Sequence, residues 1–177
     1  MVFSSPVRLW LLPNAALLAV LTLWGVLRYP HLPNRIPRHI GLDGVDAWTE
    51  RSIGSAFVLV FVYLGVTVLL TACAELTLRV TPQDELPKDA ASFGNGLAGA
   101  SLNRPRTRAS ALRAARALLV LNASLGISLL VGCGVLWRSS ADQEVSAWLF
   151  AAMLLPLLAG TGVTVAAALH DRRTSAN

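Results

Sequence analysis

The sequence predicts an all-α integral membrane protein, a single domain built as a bundle of four transmembrane helices. Of its 177 residues, 54% are hydrophobic and 14% are charged, whereas soluble domains carry about 25% charged residues. The apolar residues also fall into four blocks, at 7–27, 53–78, 117–137 and 145–169. At a helical rise of about 1.5 Å per residue, each block can cross roughly 30 Å of hydrocarbon.

The distribution of basic residues predicts how these helices are oriented. Ten of the 15 lysines and arginines lie near the N-terminus, in the connection 79–116 or in the C-terminal tail, and the others lie at the opposite ends of the blocks. Lysine and arginine concentrate in cytoplasmic loops. We therefore expect both termini and the connection 79–116 to be cytoplasmic, and the loop 29–52 to lie outside the cell.

The net charge of +5 and the pI near 10.2 do not indicate a nucleic-acid partner, because the basic residues are spread through the connections in the manner of the positive-inside bias. The first block is longer than the core of a signal peptide, and the residues Arg28, Tyr29 and Pro30 do not form a small-residue cleavage site. We expect a retained first helix. The arginines of 104–116 predict a basic helix start, which either contacts anionic lipid headgroups or only fixes the topology.

The loop 29–52 differs in composition from the rest of the chain. It contains Pro30, Pro33 and Pro37 within a few residues. Proline fixes φ and disfavours helix at the preceding residue, so the segment 29–38 is predicted to be extended and rigid. Asp43 and Gly44 predict a turn after it.

The string LPNRIPRHIGLDGVDAW, at 32–48, resembles the signature of a bacterial membrane family known as domain of unknown function 1648, which also forms the N-terminal part of SdpI-like immunity proteins. The residues at matching positions are Leu32, Pro33, Ile36, Pro37, His39, Gly44, Asp46 and Trp48. The chain departs from the signature at Ile40, where relatives commonly have an aromatic residue. It departs again at Glu50 and Arg51, where they have a lysine.

The resemblance implies a role in the bacterial plasma membrane, since relatives with immunity roles protect the producing cell from a secreted peptide toxin. By analogy, the outer loop would bind a peptide or lipid partner without catalysis or a cofactor. The residues predicted to form this binding surface are Pro33, Pro37, His39, Asp43, Gly44, Asp46 and Trp48. The prolines would hold the loop extended, the acidic residues would surround a turn, and the tryptophan would anchor in the membrane interface.

Other interpretations of the loop remain open. It contains enough ligand types for zinc in His31, His39, Asp43, Asp46 and Glu50, but their spacing follows no established zinc pattern, so no metal site is predicted. The loop can also serve only to lock the structure. At the level of the whole protein, the alternative to an immunity or sensing role is a small accessory subunit of a larger membrane complex, and a third is a transporter fragment that requires oligomerisation.

Polar residues inside the blocks are interpreted as structural. Glu75 is predicted to pair with Arg79 at i+4, and Asn14, Asn122 and Ser124 are predicted to form hydrogen bonds between helices. Cys73 and Cys133 should lie in opposite leaflets, too far apart for a disulfide. The glycines predicted to permit close helix approach are Gly126, Gly132, Gly134, Gly160 and Gly162. The glycines at 94–99 match a dinucleotide-binding pattern only literally, because no strand precedes them.

Overall fold

Four helices long and apolar enough to cross a membrane dominate the fold, which confirms the predicted helical membrane architecture. A computed structural model describes residues 4–41, 44–86, 104–137 and 147–173. The four long helices are α1 (Ser5–Arg28), α3 (Val58–Arg79), α4 (Arg108–Leu136) and α5 (Ala147–Arg173). Between α1 and α3 lie a 3₁₀ turn (Tyr29–His31), the strands β1 (Arg35–Gly41) and β2 (Gly44–Glu50), and the short helix α2 (Ile53–Ala56). A second 3₁₀ turn (Gln83–Glu85) follows α3.

Helix α4 begins at Arg108, well before the predicted position 117. Thr107 caps the new start, because its hydroxyl accepts a hydrogen bond from the Ser110 N–H at 3.1 Å and its own N–H donates to the Ser110 hydroxyl at 3.2 Å. Such a capping box satisfies amide groups that a helix start leaves unpaired. The apolar block alone would place the start at 117, whereas the basic helix start predicted for 104–116 is confirmed, because α4 continues into these basic residues.

The predicted second span, 53–78, is divided in the structure into α2 and α3. Ser52 and Ser55 form a capping box that starts α2, and the backbone at Phe57 then leaves helical geometry. The Ala56 carbonyl accepts a hydrogen bond from the Trp137 indole N–H at 2.9 Å. A side chain that inserts into the hydrogen-bond ladder of a helix is a recognised cause of a break. Here the inserted side chain is Trp137, which bonds to the Ala56 carbonyl.

The end of the bundle that carries Ser4, Arg79, Arg108 and Asp171 is called the arginine end, and the opposite end, where β1 and β2 lie, is called the hairpin end. Helix α4 packs against all three other spans, whereas α5 packs mainly against α4. An ion pair between Arg113 and Asp171 joins α4 to α5 at the arginine end. Helices α1, α3 and α4 therefore form the core, and α5 flanks it.

Hydrogen bonds between spans involve two of the three polar residues predicted for this role. The Asn14 amide of α1 donates to the Leu119 carbonyl of α4 at 3.3 Å and to the Trp10 carbonyl at 3.0 Å. The Asn122 amide of α4 donates to the Thr67 hydroxyl of α3 at 3.1 Å. Ser124 instead lies against Gly160 of α5 in close packing. The prediction is thus confirmed for Asn14 and Asn122.

Glu75 pairs with Arg79 as predicted, with 3.6 Å between Glu75 Oε2 and Arg79 Nε. Its carboxylate is 7% exposed and has a second function. Oε1 accepts hydrogen bonds from the Ser4 backbone N–H at 2.7 Å and the Ser4 hydroxyl at 3.0 Å. A carboxylate at a helix start stabilises unpaired amides and the positive end of the helix dipole. Glu75 of α3 therefore fixes the start of α1.

The spacing of α1, α4 and α5 depends on some of the predicted glycines and not on others. A Cβ at Gly160 would lie 2.6 Å from the Ser124 hydroxyl, and one at Gly134 would lie 3.1 Å from the Trp24 ring. At Gly162, by contrast, no described atom lies within 4 Å. Among the described residues, Gly162 therefore brings no other helix of this chain close. Cys73 and Cys133 are both free thiols, as predicted.

Candidate functional site

A two-stranded antiparallel hairpin occupies the loop for which only an extended segment and a turn were predicted. The register pairs Arg35 with Glu50, Ile36 with Thr49 and Pro37 with Trp48. It becomes irregular between Pro37 and His39 and again between His39 and Ile40. Proline cannot donate a ladder hydrogen bond and is tolerated at edges and bulges, which accounts for an irregularity directly after Pro37.

The start of the loop is helical, contrary to the predicted extended conformation. Tyr29–His31 continues α1 as a 3₁₀ turn, and the chain becomes extended only at Leu32. Pro30 stands in the first turn of this element, where its fixed φ is compatible with helix and its missing N–H removes no bond. The proline content therefore predicted the extended segment too early, and the strand begins at Arg35.

Arg51 joins the two ends of the hairpin. Its guanidinium donates to the Leu32 carbonyl at 2.6 Å, and its backbone N–H donates to the Asn34 carbonyl at 2.8 Å. The guanidinium also lies 5.6 Å from the centre of the Tyr29 ring, which is within the range of a cation–π contact. A single residue therefore closes the loop and holds it against the end of α1.

A cluster of aromatic side chains at the hairpin end of the bundle packs against the hairpin. The rings of Trp24 and Trp137 meet edge to face with 5.3 Å between centroids, and Phe57 lies 6.2 Å from Trp137 and 6.0 Å from Tyr29. Arg28 donates to the Trp137 carbonyl at 3.1 Å. Leu32 and Ile36 of the loop are buried in the same cluster. The hairpin is therefore packed onto the bundle through its own apolar residues.

The predicted binding residues are distributed over different parts of the hairpin. Pro33 is exposed before β1, Pro37 is buried, and Trp48 is 38% exposed on β2 opposite Pro37. His39 is paired with Ala47 in the register, Gly44 is paired with Gly41, and Asp46 lies in β2. The side chains of His39 and Asp46, and the whole of Asp43, lie outside what the structure describes. Of the seven, the structure brings together Pro37 and Trp48.

The residues that attach the hairpin to the bundle were not predicted as part of the site. In the sequence, Arg51 marks a departure from the family signature, and no motif gives Tyr29 or Trp137 a role in the loop. A local signal for Arg51 exists, because an arginine at the end of a loop that starts with an aromatic residue can stack on that ring. The contact of Trp137 with Ala56 spans 81 positions and has no local signal.

The described side chains contain no group of three or more His, Cys, Asp or Glu residues that could hold a metal ion. Of the ligands considered for zinc, His31 and Glu50 are described, and both are exposed. The His31 ring nitrogen Nδ1 lies 3.3 Å from the Leu27 carbonyl. The other three ligands have side chains outside the described part of the chain.

Comparison with known families gives a match in the N-terminal part of the chain. Residues 16–64 match the model of the family described as Domain of unknown function (DUF1648). The match covers the C-terminal half of α1, the whole hairpin, α2 and the first turns of α3, which is less than one third of the 177 residues. The segment that carries the DUF1648 match is thus the segment that forms the hairpin. Searches among curated proteins and among solved structures found no match.

Replacing Arg51 by glutamine is expected to loosen the hairpin without unfolding the bundle. The variant loses the guanidinium bond to the Leu32 carbonyl and the contact with Tyr29, each worth about 1–2 kcal/mol, and keeps the backbone bond to Asn34. Hydrogen exchange of the Ile36 and Thr49 amides in detergent should accelerate at least tenfold. Exchange within α4 should stay unchanged, and Arg35→Gln, which alters an exposed arginine of the same hairpin, is the matched control. Equal acceleration in both variants would contradict this role for Arg51.

Proposed function

We propose that the protein is a non-catalytic membrane protein of the SdpI-like immunity or sensing kind, whose hairpin binds a peptide or lipid partner. The observation that supports this most is the way the hairpin is held. It is closed by Arg51 and packed on the aromatic cluster through Leu32 and Ile36, while Trp48 remains partly exposed on β2. A binding surface that is fixed before its partner arrives loses less conformational entropy on binding.

The proposal places the hairpin on the outer face of the bacterial plasma membrane, with both termini in the cytoplasm. Support comes from the distribution of arginines, since the arginine end collects Arg79, Arg104, Arg106, Arg108 and Arg113. An exposed tryptophan beside proline is suited to a partner that presents apolar groups at the interface. Both a membrane-active peptide and a lipid headgroup region meet this description, and the experiment below separates them.

The proposal is tested by photo-crosslinking in cells of the organism that carries the protein. A photoreactive phenylalanine analogue replaces Trp48 in the full-length chain, and the mass of the adduct is measured after purification. The matched control places the analogue at Trp148 of α5, which is 65% exposed. A peptide or lipid adduct at position 48 and a different product at 148 would support the proposal. No adduct at 48, or the same adduct at both positions, would contradict it.

Loss of protection is the second part of the test. In a strain whose growth under a secreted peptide toxin depends on the chain, His39→Ala, Asp46→Ala and Trp48→Ala should each abolish protection while the variant still inserts at normal levels. Trp148→Ala, which changes an exposed tryptophan outside the hairpin, is the control for general effects on insertion. Full protection by the His39, Asp46 and Trp48 variants would contradict the proposed surface.

One observation favours the second candidate function, an accessory subunit of a larger membrane complex. Helix α5 packs mainly on α4, and on the faces of α3 and α5 a Cβ at Gly65 or Gly162 would meet no described atom within 4 Å. Small residues on a free helix face permit close approach of another transmembrane helix. Purification in mild detergent distinguishes the two functions, because a subunit would co-purify with one larger protein in fixed stoichiometry.

A further inference from the structure

A line of polar side chains runs along the buried face of α3. Tyr63, Thr67, Thr71 and Glu75 follow one another at intervals of four residues, and all four are buried. Residues four apart share one face of a helix. At about 1.5 Å per residue the line covers roughly 18 Å, more than half the thickness of a bilayer core. Such a line within an apolar span is costly unless each polar group has a partner.

Three of the four residues have partners outside α3. The Tyr63 hydroxyl donates to the Asn14 side-chain oxygen of α1 at 3.3 Å, and Thr67 exchanges hydrogen bonds with Asn122 of α4. Glu75 accepts from Ser4. The hydroxyl of Thr71, a residue only 6% exposed, is the one buried side-chain polar atom with no hydrogen-bond partner among the residues that the structure describes.

Thr71 also lacks a hydrogen bond that several other hydroxyl residues of the spans make. Five of them donate to the carbonyl four residues earlier in their own helix at 2.8–3.1 Å, namely Thr22, Thr77, Ser128, Thr161 and Thr164. This bond is the ordinary way to satisfy a hydroxyl in an apolar helix. The Thr71 hydroxyl does not make it, so the Thr67 carbonyl, four residues earlier, keeps an acceptor site that Thr71 leaves unused.

We propose that Thr71 binds an internal water molecule that links its hydroxyl to the carboxylate of Glu75. Side chains at i and i+4 share one helix face with Cβ atoms about 5–6 Å apart, and the Glu75 carboxylate contacts Ser4 and Arg79 but not the Thr71 hydroxyl, so one water can bridge the two groups. Oε2 of Glu75 has acceptor capacity left, since its contact with Arg79 Nε is 3.6 Å long. The Thr67 carbonyl offers a third partner, and buried waters typically make about three hydrogen bonds.

The surroundings determine from which end this water exchanges with solvent. Ala74 and Ala115 belong to the buried apolar cluster of α1, α3 and α4, and their side chains carry no hydrogen-bonding group. Toward the hairpin end the line stops at Tyr63, and the buried aromatic cluster of Phe57 and Trp137 follows. Toward the arginine end lies Glu75, beside the largely exposed Arg79. Water therefore reaches Thr71 from the arginine end and goes no further than the Thr67 and Asn122 pair.

Water-edited solid-state NMR on the labelled full-length protein in lipid bilayers tests this site. Polarisation from water should build up on the Thr71 side chain several times faster than on Leu119, which is also buried, and faster than on Thr22, whose hydroxyl is bonded within its own helix. The Tyr63 ring should build up as slowly as Leu119. Build-up on Thr71 at the rate of Leu119 would overturn the proposal.

Thermal unfolding gives an independent test of the water site, because the two alternatives predict opposite changes in melting temperature for Thr71→Val. If the hydroxyl held no water, Thr71→Val would remove an unpaired polar group and raise the melting temperature. Bridging to Glu75 predicts the opposite, a lower melting temperature for Thr71→Val, with Thr71→Ser close to the native protein. The control Thr22→Val should change little. An unchanged or raised melting temperature for Thr71→Val would overturn the water site.

Discussion

Replacing Gly126 by alanine is expected to give one of the two largest losses of stability in the bundle. A Cβ at this position would lie 2.5 Å from the Tyr63 hydroxyl, 2.6 Å from its ring carbon Cζ and 3.0 Å from Leu17 Cδ1. Tyr63 is fully buried and bonded to Asn14, so it cannot move aside without breaking a contact between α3 and α1. Overpacking of a filled core costs about 1–3 kcal/mol and occasionally more.

The measurement is thermal unfolding of the purified protein in detergent, followed by size-exclusion chromatography of the heated sample. Gly126→Ala should lower the melting temperature strongly and Gly126→Leu should prevent recovery of a monodisperse protein. Gly65→Ala and Gly162→Ala are matched controls, because no described atom lies near their added Cβ; they should be neutral or slightly stabilising. A melting temperature for Gly126→Ala equal to those of the controls would show that α1, α3 and α4 do not meet at this glycine.

The second large effect is expected for Trp137→Ala. Trp137 is 1% exposed, packs against Trp24 and Phe57, and donates its indole N–H to the Ala56 carbonyl. Removal of a buried tryptophan costs about 3–5 kcal/mol. The carbonyl of Ala56 at the break between α2 and α3 also loses its partner, and the Leu32 and Ile36 side chains lose a packing neighbour. The hairpin should therefore loosen together with the bundle.

Two comparisons separate packing from hydrogen bonding at Trp137. Trp137→Phe keeps most of the ring and loses the indole N–H, so it should cost about 1–3 kcal/mol, the range for an unpaired buried carbonyl. Trp148→Ala removes an exposed tryptophan and should leave the melting temperature nearly unchanged. Limited proteolysis at the hairpin, measured in parallel, should increase for Trp137→Ala. Equal stability of the Trp137→Ala and Trp148→Ala variants would refute the role of the aromatic cluster.

The four spans could be predicted from the sequence because a membrane imposes a simple requirement on length and polarity. An apolar run long enough to cross the bilayer must be helical, since no water is present to satisfy the backbone. The helix ends depend on local bonds instead. The basic segment 104–116 predicted a helix start, but the first residue of α4 is set by the Thr107 cap, and the break at Phe57 depends on Trp137, a distant residue. The hydropathy of the sequence predicts neither the capping bond of Thr107 nor the contact of Trp137 with Ala56.

The position of the candidate site could be predicted from the sequence, but its strands and its contacts with the bundle could not. Its prolines, glycines and tryptophan marked the loop as unusual, and Pro37 and Trp48 do lie opposite each other. The strands escaped prediction because Pro37 breaks the usual strand pattern, which has to be read together with a bulge. Arg51 escaped it because its importance comes from contacts with Leu32 and Tyr29, which exist only after the hairpin has formed.

Thiol labelling of two single-cysteine variants tests most directly whether the hairpin end and the arginine end lie on opposite sides of a membrane. Cys73 and Cys133 are replaced by alanine, and cysteine is introduced at Asn34 before β1 or at Ala109 near the start of α4, both exposed. Neither change alters an arginine. In intact cells an impermeant maleimide should label the Asn34→Cys variant at once and the Ala109→Cys variant only after permeabilisation. Labelling of both from the same side would contradict the four-span arrangement.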